Sequence, residues 1–325
     1  MRGLVFDGQS LSFSDRIPEP ELAEGEALIR PTLTGICSTD LELCKGYMDF
    51  NGVLGHEFVG VVEKVDSSTG DKGKQLIGKR VVGGINCVCG VCDMCKSGLS
   101  THCRERTVLG IDGRDGCFAE RFTLPVNNLL VVPDHVDDEQ AVFTEPLAAA
   151  CNVKNQLHVV GQPYITVLGD GRLGLLTAQV LSKLNASVRV VGRHEQKMML
   201  CEKWGIKHRH VNEITPRADQ DVIVDCTGSA EGLKLAMSMV RPRGQIVMKT
   251  TVANQSGVDL SPLIINEITV IGSRCGSFAD ALPMIAGDEV DVVSLISRRV
   301  RLDQGIEAFR TASQSGVIKV LLEMG

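Results

Sequence analysis

The sequence predicts a chain of mixed class, with a β-rich amino-terminal part followed by an α/β part built on a parallel sheet. Three observations carry this. Residues 1–145 hold short apolar runs separated by glycines and turn residues. Residues 164–273 alternate compact apolar runs with stretches of helical spacing. At the head of that alternation stands Gly169-x-Gly171-x-x-Gly174, between a predicted strand and a predicted helix.

The first part contains "EALIRPTLTGIC", "FVGVVEKV", "GKRVVGGINC", "FAERFTLP" and "NLLVVP", which read as β-strands. The texture changes near residue 140, where "DEQAVFTEPLAAACNVKNQL" has helical spacing opened by acidic residues. Strand and helix then take turns: "YITVLG", "RLGLLTAQVLSKLN", "SVRVVG", "EQKMMLCEKWG", "DVIVDCTG", "AEGLKLAMSMV", "GQIVMKT" and "EITVIGS". Apolar strands separated by helices imply βαβ units and a sheet covered on both faces. Beyond residue 276 the pattern loosens, and a last strand is expected in "VIKVLLEM".

Composition bounds the function. The 325 residues suffice for two domains, and 43% apolar with 23% charged residues is ordinary for a globular chain. A net charge of −6 without a dense basic run disfavours nucleic acid and anionic membrane as partners. No apolar stretch reaches the ~18–20 residues needed to span a bilayer, and "MRGLVFDGQSLSFSD" turns polar too soon for a signal peptide. The expected address is the cytoplasm. In that reducing setting twelve cysteines point to free or metal-bound thiols rather than disulfides.

In the glycine loop, Gly169 permits the tight turn, Gly171 lets backbone amides approach a pyrophosphate, and Gly174 lets the helix pack on the strand. Arg172 and Leu173 supply amides at the helix start, where negative charge is favoured. An acid at the end of the second strand would select NAD through the ribose 2′-hydroxyl. That place falls on Gly192 or Arg193, and Arg193 suits a 2′-phosphate, so NADP is favoured over NAD.

Two cysteine-bearing sets point to metal. Cys89-x2-Cys92-x2-Cys95-x7-Cys103 brings four thiolates within reach of one tetrahedral ion, a closed structural zinc site. Cys87 is surplus, or a substitute for Cys89. The dispersed set is Cys37 in "TGICSTD", His56 and Glu57 in "LGHEFVG", and Glu145 in "FTEPLA". Cysteine, histidine and carboxylate together hold zinc while leaving one position open.

Taken together, "GICSTD", "GHEFVGVV", "GKRV", "CGVCDMCKSGLSTHC", "EPLA", "VLGDGRLGLL", "VIVDCTG", "RPRGQIV" and "VIKVLL" resemble the zinc-dependent medium-chain dehydrogenases/reductases of the alcohol, sorbitol and threonine dehydrogenase kind. The resemblance spans nearly the whole chain. It implies a GroES-like β catalytic domain over 1–145, interrupted by a Rossmann doubly wound domain over 146–275, with 276–325 returning to the catalytic domain. It also implies two zinc ions, one catalytic on Cys37, His56 and a carboxylate (Glu57 or Glu145), and one structural on Cys89, Cys92, Cys95 and Cys103. Thr39 matches the family's relay hydroxyl, whereas Glu42 stands where a relay histidine is often found. The expected activity is interconversion of an alcohol, secondary or polyol-like, and a carbonyl by hydride transfer with a nicotinamide. Tyr47, Asp49, Phe50 and Asn51 would suit a polar substrate, and a homo-oligomer is expected. The rival readings are a zinc-independent quinone or enone reductase of the same superfamily, a non-catalytic dinucleotide-binding protein, and a metal-binding module on an α/β fold.

Overall fold

The computed structural model describes residues 1–158, 160–249 and 257–325. The chain divides into two compact units, Met1–Glu145 with Phe278–Gly325, and Pro146–Ser277.

The first unit is built on a seven-stranded sheet. Its path runs Leu129–Val131, Arg80–Gly83, Glu57–Val65, Glu26–Gly35, Lys319–Glu323 and Ile296–Arg301, with Phe122–Pro125 also paired to Glu26–Gly35. Strand Glu26–Gly35 is buried along most of its length and holds the sheet together. It carries Pro31, which cannot donate a ladder hydrogen bond; the register shifts there, between Pro31 and Leu33. Strand Lys319–Glu323 lies antiparallel beside it, Leu321 opposite Gly35. Two strands from the far end of the sequence, Lys319–Glu323 and Ile296–Arg301, therefore extend the amino-terminal sheet on one side. Side chains Phe58, Phe122, Leu124 and Leu322 fill the core, each 3% exposed or less.

The second unit is a six-stranded parallel sheet ordered Lys207–His210, Ser187–Gly192, Tyr164–Leu168, Gln220–Asp225, Val240–Met248 and Thr269–Gly272. Numbered along the chain this is 3-2-1-4-5-6, the Rossmann order, whose direction reverses between the first and fourth strands. Helices Arg172–Ser182, Glu195–Lys203 and Ala230–Met239 connect successive strands. Leu168, Val191, Ile223, Ala236, Met239 and Ile246 form one continuous core beneath the reversal point.

Four elements differ from the sequence expectation. The single helix expected after residue 138 is two, Asp138–Ala141 and Thr144–Gln156. Asp137 caps the first by accepting from Gln140 N at 2.7 Å, and buried Phe143 lies at the break between them. Strands Lys207–His210 ("KHRH") and Ile296–Arg301 ("ISRRVR") carry charged side chains at sheet edges, so no apolar run announces them. The strand expected in "GQIVMKT" begins earlier, at Val240, and ends at Met248; Thr250 lies outside the described residues.

Leu322 is fully buried in the strand that closes the first unit. Leu322→Ala should cost about 2–5 kcal/mol. Urea unfolding followed by circular dichroism should show the loss. A change below about 0.5 kcal/mol would mean that this strand contributes little to the first unit.

Candidate functional site

The first candidate centre forms where one strand of the seven-stranded sheet ends and another begins. Strand Glu26–Gly35 ends one residue before Ile36, and Cys37 then precedes the short helix Ser38–Leu43. His56 directly precedes strand Glu57–Val65, so His56 and the next residue, Glu57, enter the same corner. Ligand atoms of Cys37, His56 and Glu57 lie within 4.8 Å of one another. Thr39 Oγ1 is 3.7 Å from Cys37 Sγ. Glu145 opens helix Thr144–Gln156 and is not one of the three.

Two residues not singled out from the sequence organise this corner. Asp40 is fully buried. Its Oδ2 accepts from Cys37 N at 2.7 Å, while its Oδ1 faces His56 Nδ1 at 3.1 Å. One carboxylate thus orients both a thiol-bearing backbone and an imidazole, and it leaves Nε2 as the ring nitrogen for a metal. Burial opposes charge on His56, but Asp40 and Cys37 outweigh it and raise the imidazole pKa well above its usual value. A signal for Asp40 existed in "CSTD", since an acid three residues after a helix cap commonly bonds back to the cap amide.

Lys319 is the second. It is fully buried, ion-paired with Glu57 Oε2, and donates to Ile36 O at 3.2 Å. Its ammonium also sits 5.8 Å from the Phe143 ring centroid. Burial lowers its pKa to about 8, against the opposing charges of Cys37 and Asp40. Gly35 makes the room: a Cβ there would lie 2.6 Å from Glu57 Oε2. Nothing in the local pattern of "VIKVLL" marks this lysine, because its partner lies in a distant strand.

The charges test the fit of a metal. With His56 neutral, as an imidazole that ligates a metal must be, Asp40, Glu57 and a Cys37 thiolate bring three negative charges, and Lys319 returns one positive charge. A divalent cation closes that balance, as buried charge requires. Thiolate, imidazole and carboxylate are also the donor types zinc accepts.

The second centre is the loop 89–103. Cys89, Cys92, Cys95 and Cys103 place four sulfurs within 4.8 Å of one another. Cys103 Sγ is 3.5 Å from Cys89 Sγ and 3.9 Å from Cys92 Sγ. Tetrahedral zinc with bonds of about 2.3 Å needs sulfurs about 3.8 Å apart, so these thiols fit it. Backbone amides of Arg104 and Cys95 hold the Cys92 thiol down at about 6, while burial and neighbouring thiols push Cys95 up to about 12. Cys87 is buried outside the four; burial raises its pKa.

The glycine loop lies in the second unit, at the reversal of strand order. Gly169 has φ +109°, and a Cβ there would come 2.6 Å from Cys226 O. Gly174 packs on the Gly169 carbonyl, leaving no room for a side chain. Gly171 faces open space at the start of helix Arg172–Ser182, so a pyrophosphate can reach the amides of Arg172, Leu173 and Gly174. A cavity of about 530 Å³ adjoins the loop, lined by Gly169, Asp170, Gly192, Arg193, His194 and Thr227 among others. Arg193 is exposed there. In the first unit, Tyr47 is exposed and Phe50 buried, while Met48 and Asp49 turn through φ of 63° and 49°.

Comparison with known proteins agrees along the chain. Residues 23–134 match the alcohol dehydrogenase GroES-like domain family, and residues 173–287 match the zinc-binding dehydrogenase family. D-arabitol-phosphate dehydrogenase of Enterococcus avium is 29% identical, over 94% of this chain and 91% of its own. Sorbitol dehydrogenase of Halalkalibacterium halodurans is 28% identical, over 94% and 93%. A solved zinc-binding dehydrogenase structure from Sinorhizobium meliloti 1021, bound to NADP, is 26% identical with a TM-score of 0.89 and covers 99% of both chains.

Lys319 yields a test. In Lys319→Met the buried carboxylates of the metal-free chain lose their counter-charge, a loss of about 3–5 kcal/mol. Added zinc should restore part of it. Denaturation with chelator and with zinc separates the two states. An equal loss in both would mean that Lys319 does not counter the charge the metal meets.

Proposed function

We propose, given that this chain belongs to the zinc-type medium-chain dehydrogenase family and is a nicotinamide-dependent alcohol oxidoreductase, that it interconverts a polyol-like secondary alcohol and its carbonyl, preferring NADP. The observation that carries the reaction class is the cluster of half-buried Cys37 with buried His56 and Glu57, charge-balanced for a divalent cation. A zinc-independent reductase of the same superfamily would have no use for that cluster. The polyol reading draws on the two polyol-acting relatives.

Cys37, His56 and a carboxylate would hold the catalytic zinc, with Glu57 and Glu145 as the two candidates for the carboxylate. The four loop cysteines would hold a second, structural zinc. When bound, the catalytic zinc supplies Lewis acidity that lowers the pKa of a substrate hydroxyl, and the nicotinamide supplies the hydride site. Asp40 keeps the His56 ring in one tautomer through its contact with Nδ1. The Thr39 hydroxyl, beside Cys37, takes the substrate proton toward solvent. The amides of Arg172, Leu173 and Gly174 receive the pyrophosphate, and Arg193 the 2′-phosphate.

No helix among the described residues is long and apolar enough to cross a membrane. A cytoplasmic address suits so many thiols placed for metal. A homo-oligomer is supported by the open edge strand Thr269–Gly272 and by Ile264 and Ile265, 80% and 77% exposed beside it.

Elemental analysis of chelator-free protein should find two zinc ions per chain. Cys37→Ser should abolish turnover of polyols and secondary alcohols while coenzyme binding and folding persist. Cys92→Ser should instead lower the melting temperature, because it opens a closed staple. Near-native activity in Cys37→Ser would sink the catalytic reading.

Coenzyme choice is tested by kcat/KM with NADP⁺ and NAD⁺ on one alcohol. Charge-assisted hydrogen bonds of ~1.5–3 kcal/mol make the NADP preference roughly ten- to a hundredfold. Arg193→Asp should swing it toward NAD⁺. Equal use of both coenzymes by the unmodified enzyme would refute the preference.

A further inference from the structure

Asp170, the second residue of the glycine loop, has no part in the roles given to that loop above. It is only 6% exposed and lies against Gly192, at the end of the neighbouring strand Ser187–Gly192. Its Oδ2 accepts from Arg193 N at 2.8 Å and from His194 N at 2.6 Å. His194 Nδ1 lies 3.1 Å from both carboxylate oxygens. Lys197, buried in the first turn of helix Glu195–Lys203, feels the same negative charge. These partners take up most of the lone pairs a carboxylate offers, so Asp170 has little left for a ribose diol.

The same carboxylate fills the space above Gly192. A Cβ at Gly192 would lie 2.5 Å from Asp170 Oδ2 and 2.6 Å from Asp170 Cβ. Gly192 is one of the two positions where an NAD site would place its ribose-binding acid. An acid there would collide with Asp170 and set two carboxylates in contact. Meanwhile the amides of Arg193 and His194, which could have served as anion donors, are already committed to Asp170. Recognition of charge in the cavity therefore falls to side chains, Arg193 first.

We propose that Asp170 and Gly192 form a coupled pair that decides coenzyme choice. Asp170 is a positioning residue: it fixes the turn that presents Arg193, and it excludes from position 192 the acid that NAD recognition uses. This rests on the NADP reading above. It predicts that coenzyme preference cannot be reversed at position 192 alone.

The test is a double-mutant cycle on the full zinc-loaded chain. It uses Asp170→Gly, Gly192→Asp and the two together, because the Asp170 Cβ alone would still crowd a side chain at 192. Dissociation constants for NADPH and NADH are read by calorimetry, with no turnover needed. Contacting residues couple strongly enough for roughly tenfold effects. Asp170→Gly should weaken NADPH about fivefold or more and NADH much less. A merely structural role would weaken both alike, and that result would overturn the assignment. Gly192→Asp should bind both coenzymes roughly tenfold more weakly, and the double variant should recover NADH by about tenfold with inverted preference. A swing to NADH in Gly192→Asp as large as in the double variant would overturn the coupling.

If Gly192→Asp does not fold, Gly192→Ala replaces it. Its melting temperature should fall in the native background and return in Asp170→Gly; failure to return overturns the steric half. A native chain that prefers NADPH while the cycle is additive overturns the coupling only. A native chain that binds NADH as tightly as NADPH, with no response to Arg193→Ala, overturns the NADP reading and this proposal with it.

Discussion

Buried charge in the first unit has to sum to nearly zero, and much of that unit's construction serves this requirement. Asp40 and Glu57 are both fully removed from water. Isolated, each would cost several kcal/mol to bury. Asp40 is offset by the Cys37 amide and by His56, and Glu57 by Lys319. Gly35 is small because Lys319 and Glu57 meet above it. The ligand ring is what remains once these pairings are made, and it retains a deficit that suits a divalent cation.

The second unit meets a different constraint with similar means. Its parallel sheet must open a crevice at the reversal of strand order. Gly169 and Gly174 let backbone approach backbone at that point. The Asp170 carboxylate then stitches the neighbouring turn from below. In both units a buried aspartate orders backbone and imidazole together, Asp40 with Cys37 and His56, Asp170 with Arg193 and His194.

What could be read from the sequence was whatever is local. The four-cysteine loop closes within fifteen positions, and the glycine loop within six, so spacing alone exposes their chemistry. The apolar central strands of the second unit announce themselves, whereas charged edge strands such as "KHRH" do not, because an edge needs no apolar run. Cys37, His56 and Glu57 were recognisable only as a combination. Asp40 was visible as a helix-start acid, but its second contact, to His56, crosses from one element to another. Lys319 was not legible: a single lysine in an apolar strand acquires meaning only when register places it above Gly35. Asp170 drew no reading of its own between two glycines, since its partners lie a whole helix away.

The interrupted order of the first unit has a consequence for synthesis. Ile36 and Lys319, joined by a hydrogen bond, are 283 residues apart. At ribosomal speeds of about 5–20 residues per second, the interval between them is roughly a quarter of a minute to a minute. All four cysteines of the loop are available as soon as residue 103 clears the exit tunnel, and the parallel sheet can assemble within the same interval. The corner holding Asp40 and Glu57 must wait for its lysine. On the nascent chain those carboxylates stay hydrated, and strand Glu26–Gly35 lacks the neighbour with which it will finally pair. The corner holding Cys37, His56 and Glu57 is therefore completed only after every strand of the parallel sheet has been synthesised.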